Sequence, residues 1–426
     1  MRTGSILQIC LFLAFLAVGA SLSVPFGRSA TLSEMENRAL TVFPELTAQT
    51  LWSGAYFRQL ENYIADHVAF RDRLVDVSKL VLSWHGFVGR ERTSIISSQA
   101  NNTSEIAVKP EPQHTVEPGV TPPPAILPAE TEAEPEIKGH VLGKVLITGD
   151  RAMNLFTYDS EAGRAYADAM NRAKEVLGVP VTVLLAPTAV EFLASAKLKK
   201  LSSSQREAVE TVYSRLHPSI ARVDAITALQ PYAREELYFR TDHHWTATGA
   251  YYAYSAYMKL RNETPLPLSS YRVEKISGFL GSLHAATKNR QLGDNPDTIT
   301  VYHPPVQTEY TVHYTGPLTL PLLDMGHATR KNKYRIFLSG DRPWGVIRTD
   351  AERTKRLLVV KDSYGNAFIP FLTAHYKEIY VVDPRQFDRK LSEFLREHPV
   401  DELLFLNNAE VTMDGGFAEQ LKRLVE

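Results

Sequence analysis

The chain has 426 residues, with 47 lysines and arginines against 48 aspartates and glutamates, so its formal net charge is -1. This balance argues against the broad positive field of a general nucleic-acid-binding protein, and we expect no nucleic-acid partner. Hydrophobic residues make up 44% of the chain, enough for a large core, while the single cysteine, Cys10, excludes an intrachain disulfide and a Cys-x-x-Cys redox pair.

Residues 1–27 contain a long apolar run. No residue between Arg2 and Arg28 is charged, and residues 6–26 are rich in Leu, Ile, Phe, Val and Ala. Because a helix needs about 20 apolar residues to span a bilayer, we predict an uncleaved signal-anchor. The alternative is a signal peptide, cleaved after small residues such as Gly19-Ala20. Either one predicts an extracytoplasmic protein of the bacterial cell envelope, anchored in the cell membrane by a single N-terminal span or, if cleaved, secreted.

Two regions of different composition follow. Residues 28–96 are predicted to be a helical N-terminal region, because apolar residues recur there at spacings of three and four, at Phe57, Leu60, Ile64 and Val68. Residues 97–139 are predicted to be a disordered linker rich in Pro and Glu, with eight prolines between positions 110 and 135. Such a composition buries too little apolar surface to offset the loss of chain entropy.

Residues 140–426 alternate between short apolar strands and amphipathic helices. The sequence predicts helices over residues 160–177 and 203–216, and strands over residues 141–148, 179–186, 356–360, 378–382 and 402–406. This alternation predicts an α/β domain with a mainly parallel sheet flanked by helices on both faces. In such folds the active site lies at the carboxyl ends of the strands.

The first candidate site residue is Ser363, within Lys361-Asp362-Ser363-Tyr364-Gly365-Asn366. Four apolar residues precede this motif, and a helix is predicted to begin near Gly365. Ser363 would therefore lie on a strand-to-helix turn, where its own N–H and the following ones could form an oxyanion hole beside a nucleophile. The alternative is that Ser363 only caps the helix, which is the commoner role for a serine in such a position.

The second candidate lies within Thr241-Asp242-His243-His244-Trp245-Thr246. If the segment is extended, Asp242 and His244 share a face and His243 points away. His244 would then be a general base that Asp242 orients, with Thr246 capping the next helix. Three alternatives stay open: Asp242, His243 and His244 could bind a metal, could cap the helix, or could be structural. Trp245 is interpreted as a packing residue that could also line the cleft.

These two motifs resemble a known family. Thr241-Asp242-His243-His244-Trp245-Thr246 is similar to the signature of the bacterial DHHW protein family, and the Lys361-Asp362-Ser363 segment, followed by His375-Tyr376-Lys377, resembles its second motif. Residues 36–40 and 337–341 resemble further family elements. The family is similar to the SGNH-type alginate O-acetyltransferases of the periplasm.

The resemblance implies an SGNH hydrolase-like fold over residues 140–426, with Ser363 as nucleophile, His244 as base and Asp242 as the orienting carboxylate. At Lys361 a lysine stands where the usual Gly-Asp-Ser motif has glycine, so the resemblance does not identify the donors of the oxyanion hole. Beside Trp245 as a substrate candidate, the residues considered for oxyanion or substrate binding are Tyr364, Gly365 and Asn366, with Asn407 and Asn408 as weaker choices.

The implied activity is acyl transfer on a cell-envelope or exported polysaccharide, by an O-acetyltransferase or, if water is the acceptor, an acetylesterase. No cofactor and no metal are implied. The resemblance also implies a membrane-bound O-acyltransferase as the partner that passes acetyl groups across the bilayer. The alternative from another class is a non-catalytic glycan-binding or scaffold protein of the envelope that keeps the fold.

Overall fold

The computed structural model describes residues 32–33, 38–39, 43–44, 46–47, 50–51, 55–67, 139–193, 195–314 and 316–426. No helix within these residues is long and apolar enough to cross a membrane. The predicted membrane segment at residues 6–26 and residues 97–138 of the predicted linker lie outside them.

The elements of the described residues are given in chain order. The strands are β1 Leu32–Ser33, β2 Arg38–Ala39, β3 Gly139–Leu142, β4 Val145–Thr148, β5 Arg151–Asn154, β6 Val181–Ala186, β7 Ala221–Val223, β8 Arg272–Phe279, β9 Asp297–His303, β10 Thr308–His313, β11 Pro317–Leu320, β12 Trp344–Thr349, β13 Arg356–Lys361, β14 Glu378–Val382 and β15 Glu402–Asn408. The α-helices are α1 Ala55–His67, α2 Ser160–Leu177, α3 Ala196–Lys199, α4 Gln205–Ser214, α5 Ala225–Leu229, α6 Ala247–Leu260, α7 Ser282–Thr287, α8 Arg290–Asp294, α9 Gly365–Leu372, α10 Leu391–Glu397 and α11 Gly416–Val425.

An eight-stranded mixed sheet forms the centre of the fold, in the order β11-β10-β12-β14-β13-β15-β6-β7. The five strands from β14 to β7 are parallel to their neighbours, as predicted. The other three strands, β12, β10 and β11, extend the sheet in antiparallel pairs. The prediction of a mainly parallel sheet therefore describes only one side. The antiparallel side forms because β10 and β11 are joined by a tight connection, which permits antiparallel pairing alone.

Alternating side chains on the parallel strands build a core on each face of this sheet. On β13, Leu357 and Val359 join the core beneath α6 and α9, while Leu358 and Val360 join the core beneath α2, α4, α10 and α11. Because helices cover both faces of the sheet, the sequences of these strands are continuous apolar runs. The fold is thus a mixed α/β architecture with helices on both sides.

The predicted boundaries hold where local signals are strong. Helix α2 begins and ends where predicted, since the side chain of Asp159 accepts hydrogen bonds from two N–H groups of its first turn and Gly178 ends it in the left-handed conformation. Strand β14 also has its predicted bounds.

Other predicted elements differ from the structure. The single strand predicted over residues 141–148 is instead the hairpin of β3 and β4, because Gly143 turns the chain with a φ of 61°. Within the region predicted to be helical, α1 is helical, whereas Arg38–Ala39 is a two-residue strand that pairs antiparallel with Leu32–Ser33.

Candidate active site

Ser363 lies on the turn between β13 and α9, at the carboxyl end of the parallel strands. Asp362 holds this turn, because its buried carboxylate accepts hydrogen bonds from the Tyr364 N–H at 2.9 Å and from the Asn408 N–H at 2.7 Å and its side-chain amide at 3.0 Å. The end of β13 is thereby tied to the end of β15, the neighbouring strand. Burial raises the pKa of Asp362 to about 6, although these donors and nearby Arg385 oppose the rise.

Asp242 and His244 lie on a bend that leads into α6. Asp297 at the start of β9 shapes this bend, because its buried carboxylate accepts hydrogen bonds from the Thr241 N–H at 2.8 Å and the Thr241 hydroxyl at 2.5 Å, and also pairs with Arg240. Arg240 is therefore the partner of a buried carboxylate. Thr246 caps α6, as predicted.

The structure brings Ser363, His244 and Asp242 into one hydrogen-bonded chain. The Ser363 Oγ lies 2.8 Å from His244 Nε2, and His244 Nδ1 lies 2.5 Å from Asp242 Oδ1. A carboxylate can only accept, so Nδ1 carries the imidazole proton and Nε2 accepts from the serine hydroxyl. The three side chains are all at least 90% buried. This arrangement can deprotonate a serine and stabilise the resulting imidazolium.

The Asp242 carboxylate is ionised at neutral pH. Burial by itself would raise the pKa of this group, but the charges of His244 and His243, with hydrogen bonds from His244 and Ser282, outweigh it and lower the pKa well below its ordinary value. The Ser282 N–H donates to Asp242 Oδ2 at 2.7 Å. Gly281 makes this approach possible, since a Cβ at that position would overlap the side chain of Asp242.

Tyr334 is a residue of this site that the sequence analysis missed. Its ring stacks on the imidazole of His244, with centroids 3.8 Å apart and an interplanar angle of 11°, and its hydroxyl donates to the Ser363 carbonyl at 3.1 Å. It precedes residues 337–341, which carry part of the family resemblance, but no spacing pattern identifies the tyrosine itself. Tyr334 thus contacts both His244 and the turn that carries Ser363.

His243 does not lie on the opposite face from His244, as an extended segment would require. The segment is a bend, and the two imidazole rings are 3.8 Å apart at their centroids. His243 Nδ1 is 2.6 Å from the Ser282 hydroxyl, and the His243 carbonyl accepts a hydrogen bond from Tyr364. Asp242 and His244 therefore pair through the bend, and the expected alternation of side chains is wrong.

The backbone N–H groups of the oxyanion candidates chosen from sequence already donate hydrogen bonds to other acceptors. The Tyr364 N–H donates to Asp362, the Gly365 N–H donates to the Asp362 carbonyl at 3.0 Å, and the Asn366 N–H donates to the Ser363 carbonyl at 3.2 Å. The side chain of Asn366 points to Asp341, with its amide nitrogen 2.8 Å from Oδ1. Among the described residues, the N–H of Ser363 itself has no acceptor.

The remaining candidates are structural in their contacts. Trp245 is fully buried, and its indole N–H donates to the Tyr364 carbonyl at 2.9 Å, so it packs beneath the site rather than lining the cavity. Asn407 accepts a hydrogen bond from Tyr166, and Asn408 bonds Asp362 and caps the following turn. Neither Asn407 nor Asn408 lines the cavity that contains Ser363.

Asp242, His243 and His244 could also be read as metal ligands, because one ligand atom from each lies within 4.8 Å of the others. Their donor atoms are already bonded, however. Asp242 Oδ1 accepts from both the N–H and the ring of His244, and Asp242 Oδ2 accepts from Ser282. Binding of a metal by these atoms would therefore break the Ser363–His244–Asp242 chain.

The serine hydroxyl faces a cavity of about 200 Å³. Its walls come from five segments: the bend before α6, the residues from the end of β8 into α7, the loop up to Tyr334, the turn that carries Ser363, and the loop after β14. The lining residues are Asp242, His243, His244, Phe279, Leu280, Gly281, Ser282, Ala285, Lys331, Asn332, Tyr334, Ser363 and Arg385. The hydrogen-bonded chain is therefore accessible to a small part of a substrate.

The protein is thus an α/β protein with a serine–histidine–aspartate hydrogen-bonded chain at the carboxyl ends of its parallel strands. The chain belongs to the DHHW family, since the family described as DHHW protein matches residues 117–382. A comparison with curated proteins finds no match.

Comparison with solved structures finds a similar fold in the first two proteins that follow. A DHHW family protein from Eubacterium siraeum is 29% identical, with a TM-score of 0.61 over 67% of this chain and 97% of that one. PatB1 of Bacillus cereus, solved with a sulfonyl adduct, is 17% identical, with a TM-score of 0.54 over 63% and 95% of the two chains. The O-acetyltransferase domain of Pseudomonas putida AlgJ is 13% identical, with a TM-score of 0.36 over 66% and 96%.

Proposed function

We propose that the protein transfers acyl groups, with Ser363 as nucleophile, His244 as general base and Asp242 as the carboxylate that orients it. The observation that carries this proposal is the continuous hydrogen-bonded chain from the Ser363 hydroxyl through His244 to Asp242, which opens on a cavity. A serine that only capped the helix would not need a buried imidazole and carboxylate aligned behind it.

The proposed reaction has two halves. His244 Nε2 takes the proton of the Ser363 hydroxyl as Oγ bonds to the carbonyl carbon of an acetyl ester, and the proton then passes to the leaving oxygen. In the second half an acceptor hydroxyl gives its proton to His244 as it attacks the acyl-serine carbonyl, and His244 returns that proton to Ser363 Oγ as the ester bond to serine breaks. A sugar hydroxyl as acceptor makes the protein an O-acetyltransferase, and water makes it an acetylesterase.

Two donors are proposed for the oxyanion that forms in each half. The first is the N–H of Ser363, and the second is the side-chain amide of Asn332, which lines the same cavity. Removing one such donor costs on the order of 10²-fold or more in kcat in related chemistry.

The substrate and location belong to the same proposal. The apolar run at residues 6–26 supports an extracytoplasmic, membrane-anchored protein, and the resemblance to alginate O-acetyltransferases supports a polysaccharide acceptor. Since acetyl donors are made in the cytoplasm, a membrane-bound O-acyltransferase would supply the acetyl group. Protease added to intact protoplasts should digest the bulk of the chain, and protection of the whole chain would contradict this location.

The test is covalent labelling of the serine. Phenylmethylsulfonyl fluoride reacts with activated serines, and we expect peptide mass spectrometry to find the adduct on Ser363. Ser363→Ala should abolish the adduct and the hydrolysis of p-nitrophenyl acetate. Asp242→Asn should keep the fold but lower turnover by up to ~10⁴-fold, because the imidazole then adopts the wrong tautomer.

Controls separate the alternatives. His243→Ala should be milder than His244→Ala, because His243 does not touch the serine hydroxyl. An equal loss in a folded His243→Ala protein, restored by added zinc, would favour the metal interpretation. No adduct on Ser363 and no ester turnover would favour a non-catalytic scaffold. Transfer of acetyl to an oligosaccharide, as opposed to release of acetate, separates the transferase from the esterase.

A further inference from the structure

The charges that line the cavity are of one sign where they face solvent. Its ionisable lining groups other than histidines are Asp242, Lys331 and Arg385. Asp242 is buried, and hydrogen bonds from His244 and Ser282 engage both of its oxygens. By contrast, the side chain of Lys331 is exposed and that of Arg385 is partly exposed. A group entering the cavity therefore meets the side chains of Lys331 and Arg385 in the same cavity as Ser363.

Arg385 is held in a fixed orientation by two carboxylates. Its Nε lies 2.8 Å from Asp383 Oδ1, and its Nη2 lies 2.5 Å from Asp383 Oδ2 and 3.0 Å from Asp341 Oδ2. These contacts use the Nε–Nη2 edge of the planar guanidinium and leave its Nη1 donors on the other side. The side chain of Arg385 is 36% exposed, whereas Asp383 is fully buried. Arg385 also lines the cavity, so the Nη1 donors, which these contacts do not use, are the ones left for a ligand there.

Lys361 shares these two carboxylates with Arg385, so the four charges balance. Its buried Nζ lies 2.7 Å from Asp341 Oδ1 and 3.7 Å from Asp383 Oδ2. Two cations thus oppose two anions in this cluster, and the one that reaches the cavity is the arginine. Asp362 is the next carboxylate, but its oxygens are directed to the N–H groups of Tyr364 and Asn408. The lysine that replaces glycine in the serine motif therefore has an electrostatic role.

Lys331 approaches the cavity from another wall. It is exposed and lies in the loop before Tyr334. Its charge acts on a neighbouring histidine. Burial lowers the pKa of His284, and the charges of Lys288 and Lys331 lower it further. Arg385 and Lys331 therefore form a pair of cations, one rigid and one flexible, on walls of the same cavity as Ser363.

We propose that this cavity recognises an acceptor glycan through an anionic group, a carboxylate or a phosphate, with Arg385 as its fixed partner and Lys331 as its flexible one. The inference rests on the proposed function, because it names the substrate class of the same site. The planar guanidinium of arginine can donate hydrogen bonds to the oxygens of either anion. The ammonium group of lysine attracts an anion as a point charge on a flexible side chain. A neutral glycan would offer no charged partner to Lys331 or to the Nη1 side of Arg385.

Equilibrium binding to the Ser363→Ala protein tests this inference without requiring turnover. The probes are a hyaluronan hexasaccharide, which carries carboxylates, chitohexaose, which is neutral, and a poly(glycerol phosphate) oligomer. We expect at least one anionic oligomer to bind about tenfold more tightly than chitohexaose, and a tenfold rise in salt to remove most of that difference. Which anion binds identifies the chemical source. Equal affinity for all three probes would overturn the proposal.

Variants of the two cations complete the test. Lys331→Gln should reduce the preference for the anionic probe about threefold or more, and Arg385→Lys should reduce it while retaining the charge that balances Asp341 and Asp383. Arg290→Gln is the matched control, since Arg290 is 93% exposed and lies outside the cavity lining. If Lys331→Gln and Arg385→Lys bind as the control does, the cations are structural and the proposal is wrong.

These results are distinguishable from failure of the proposed function. Labelling of Ser363 by phenylmethylsulfonyl fluoride reports the reactive serine, whereas oligosaccharide binding to Ser363→Ala reports recognition. A labelled serine with no anion preference would remove the substrate class alone. Anion-selective binding without labelling would remove catalysis and retain a glycan-binding cavity.

Discussion

Tyr334 illustrates how a residue outside the hydrogen-bonded chain can position it. Its ring covers one face of the His244 imidazole, and its hydroxyl bonds the carbonyl of Ser363. An aromatic pair of this kind contributes about 0.5–1.5 kcal/mol beyond its buried area. The base and the serine turn, which are 119 residues apart in the chain, are therefore both in contact with one side chain.

We predict that Tyr334→Phe lowers the rate of Ser363 sulfonylation by roughly two- to tenfold, because it loses one hydrogen bond worth about 0.5–1.5 kcal/mol and keeps the stacking. Tyr334→Leu should lower it further, since the imidazole loses its support. The measurement is the second-order rate constant of inactivation, with the melting temperature measured in parallel.

The matched control is Tyr257→Phe. Tyr257 is also buried and hydrogen-bonds another tyrosine, Tyr376, at 2.7 Å, but it does not line the cavity. Loss of this hydrogen bond should lower the melting temperature without slowing the sulfonylation of Ser363. A folded Tyr334→Leu protein that reacts as fast as the wild type would show that the ring only fills space.

At the scale of elements, the junction of β13, α9 and β15 depends on the single carboxylate of Asp362. This group joins the end of one parallel strand to the end of the next through the Asn408 hydrogen bonds. Because burial raises its pKa from the ordinary value of 3.8 to about 6, the folded protein binds more protons than the unfolded chain between these values. Stability contributed by this group must therefore fall as pH rises from about 4 to 6.

Asp362→Asn removes that titration, which predicts a pH-dependent difference between two proteins. We expect the free energy of unfolding of the wild type, minus that of Asp362→Asn, to fall by up to ~3 kcal/mol between pH 4 and pH 6. The measurement is urea unfolding at several pH values. The lowered pKa values of Asp242 and Asp341 act below about pH 4 and are common to both proteins. A difference that stays constant or rises with pH would contradict the prediction.

At the scale of the whole molecule, the composition of residues 97–139 predicts a boundary before the α/β domain. Limited proteolysis of the full chain should cut this stretch first and leave a stable fragment that begins near residue 140. N-terminal sequencing and the mass of the fragment would identify the cut. First cleavage within residues 140–426 would show that the boundary is misplaced.

Ester turnover by the fragment provides a second measurement of the same boundary. The hydrogen-bonded chain and the cavity that it faces are built from residues between 242 and 385. The fragment should therefore keep the p-nitrophenyl acetate activity of the full chain if residues 1–139 serve only for anchoring and spacing.

Local patterns were sufficient for much of the fold. Helix α2 and strand β14 have the predicted bounds, because apolar periodicity and caps are set by residues close together in the chain. The antiparallel strands β9 to β12 were not predicted. Pairing across a sheet depends on partners far away in the sequence, which a local pattern does not contain.

By itself, the sequence determined that an aspartate, a histidine and a serine precede helices in an α/β domain, and the family motifs selected Asp242, His244 and Ser363. Only the tertiary structure decided how they meet: through a bend, not an extended segment, and with Tyr334 stacked on the base. It also decided that Asn366 turns to Asp341 while Arg385 lines the cavity. The physical reason is that periodicity is a property of neighbouring residues, whereas the hydrogen-bond partner of a buried polar group is chosen among all groups that folding brings within about 3 Å.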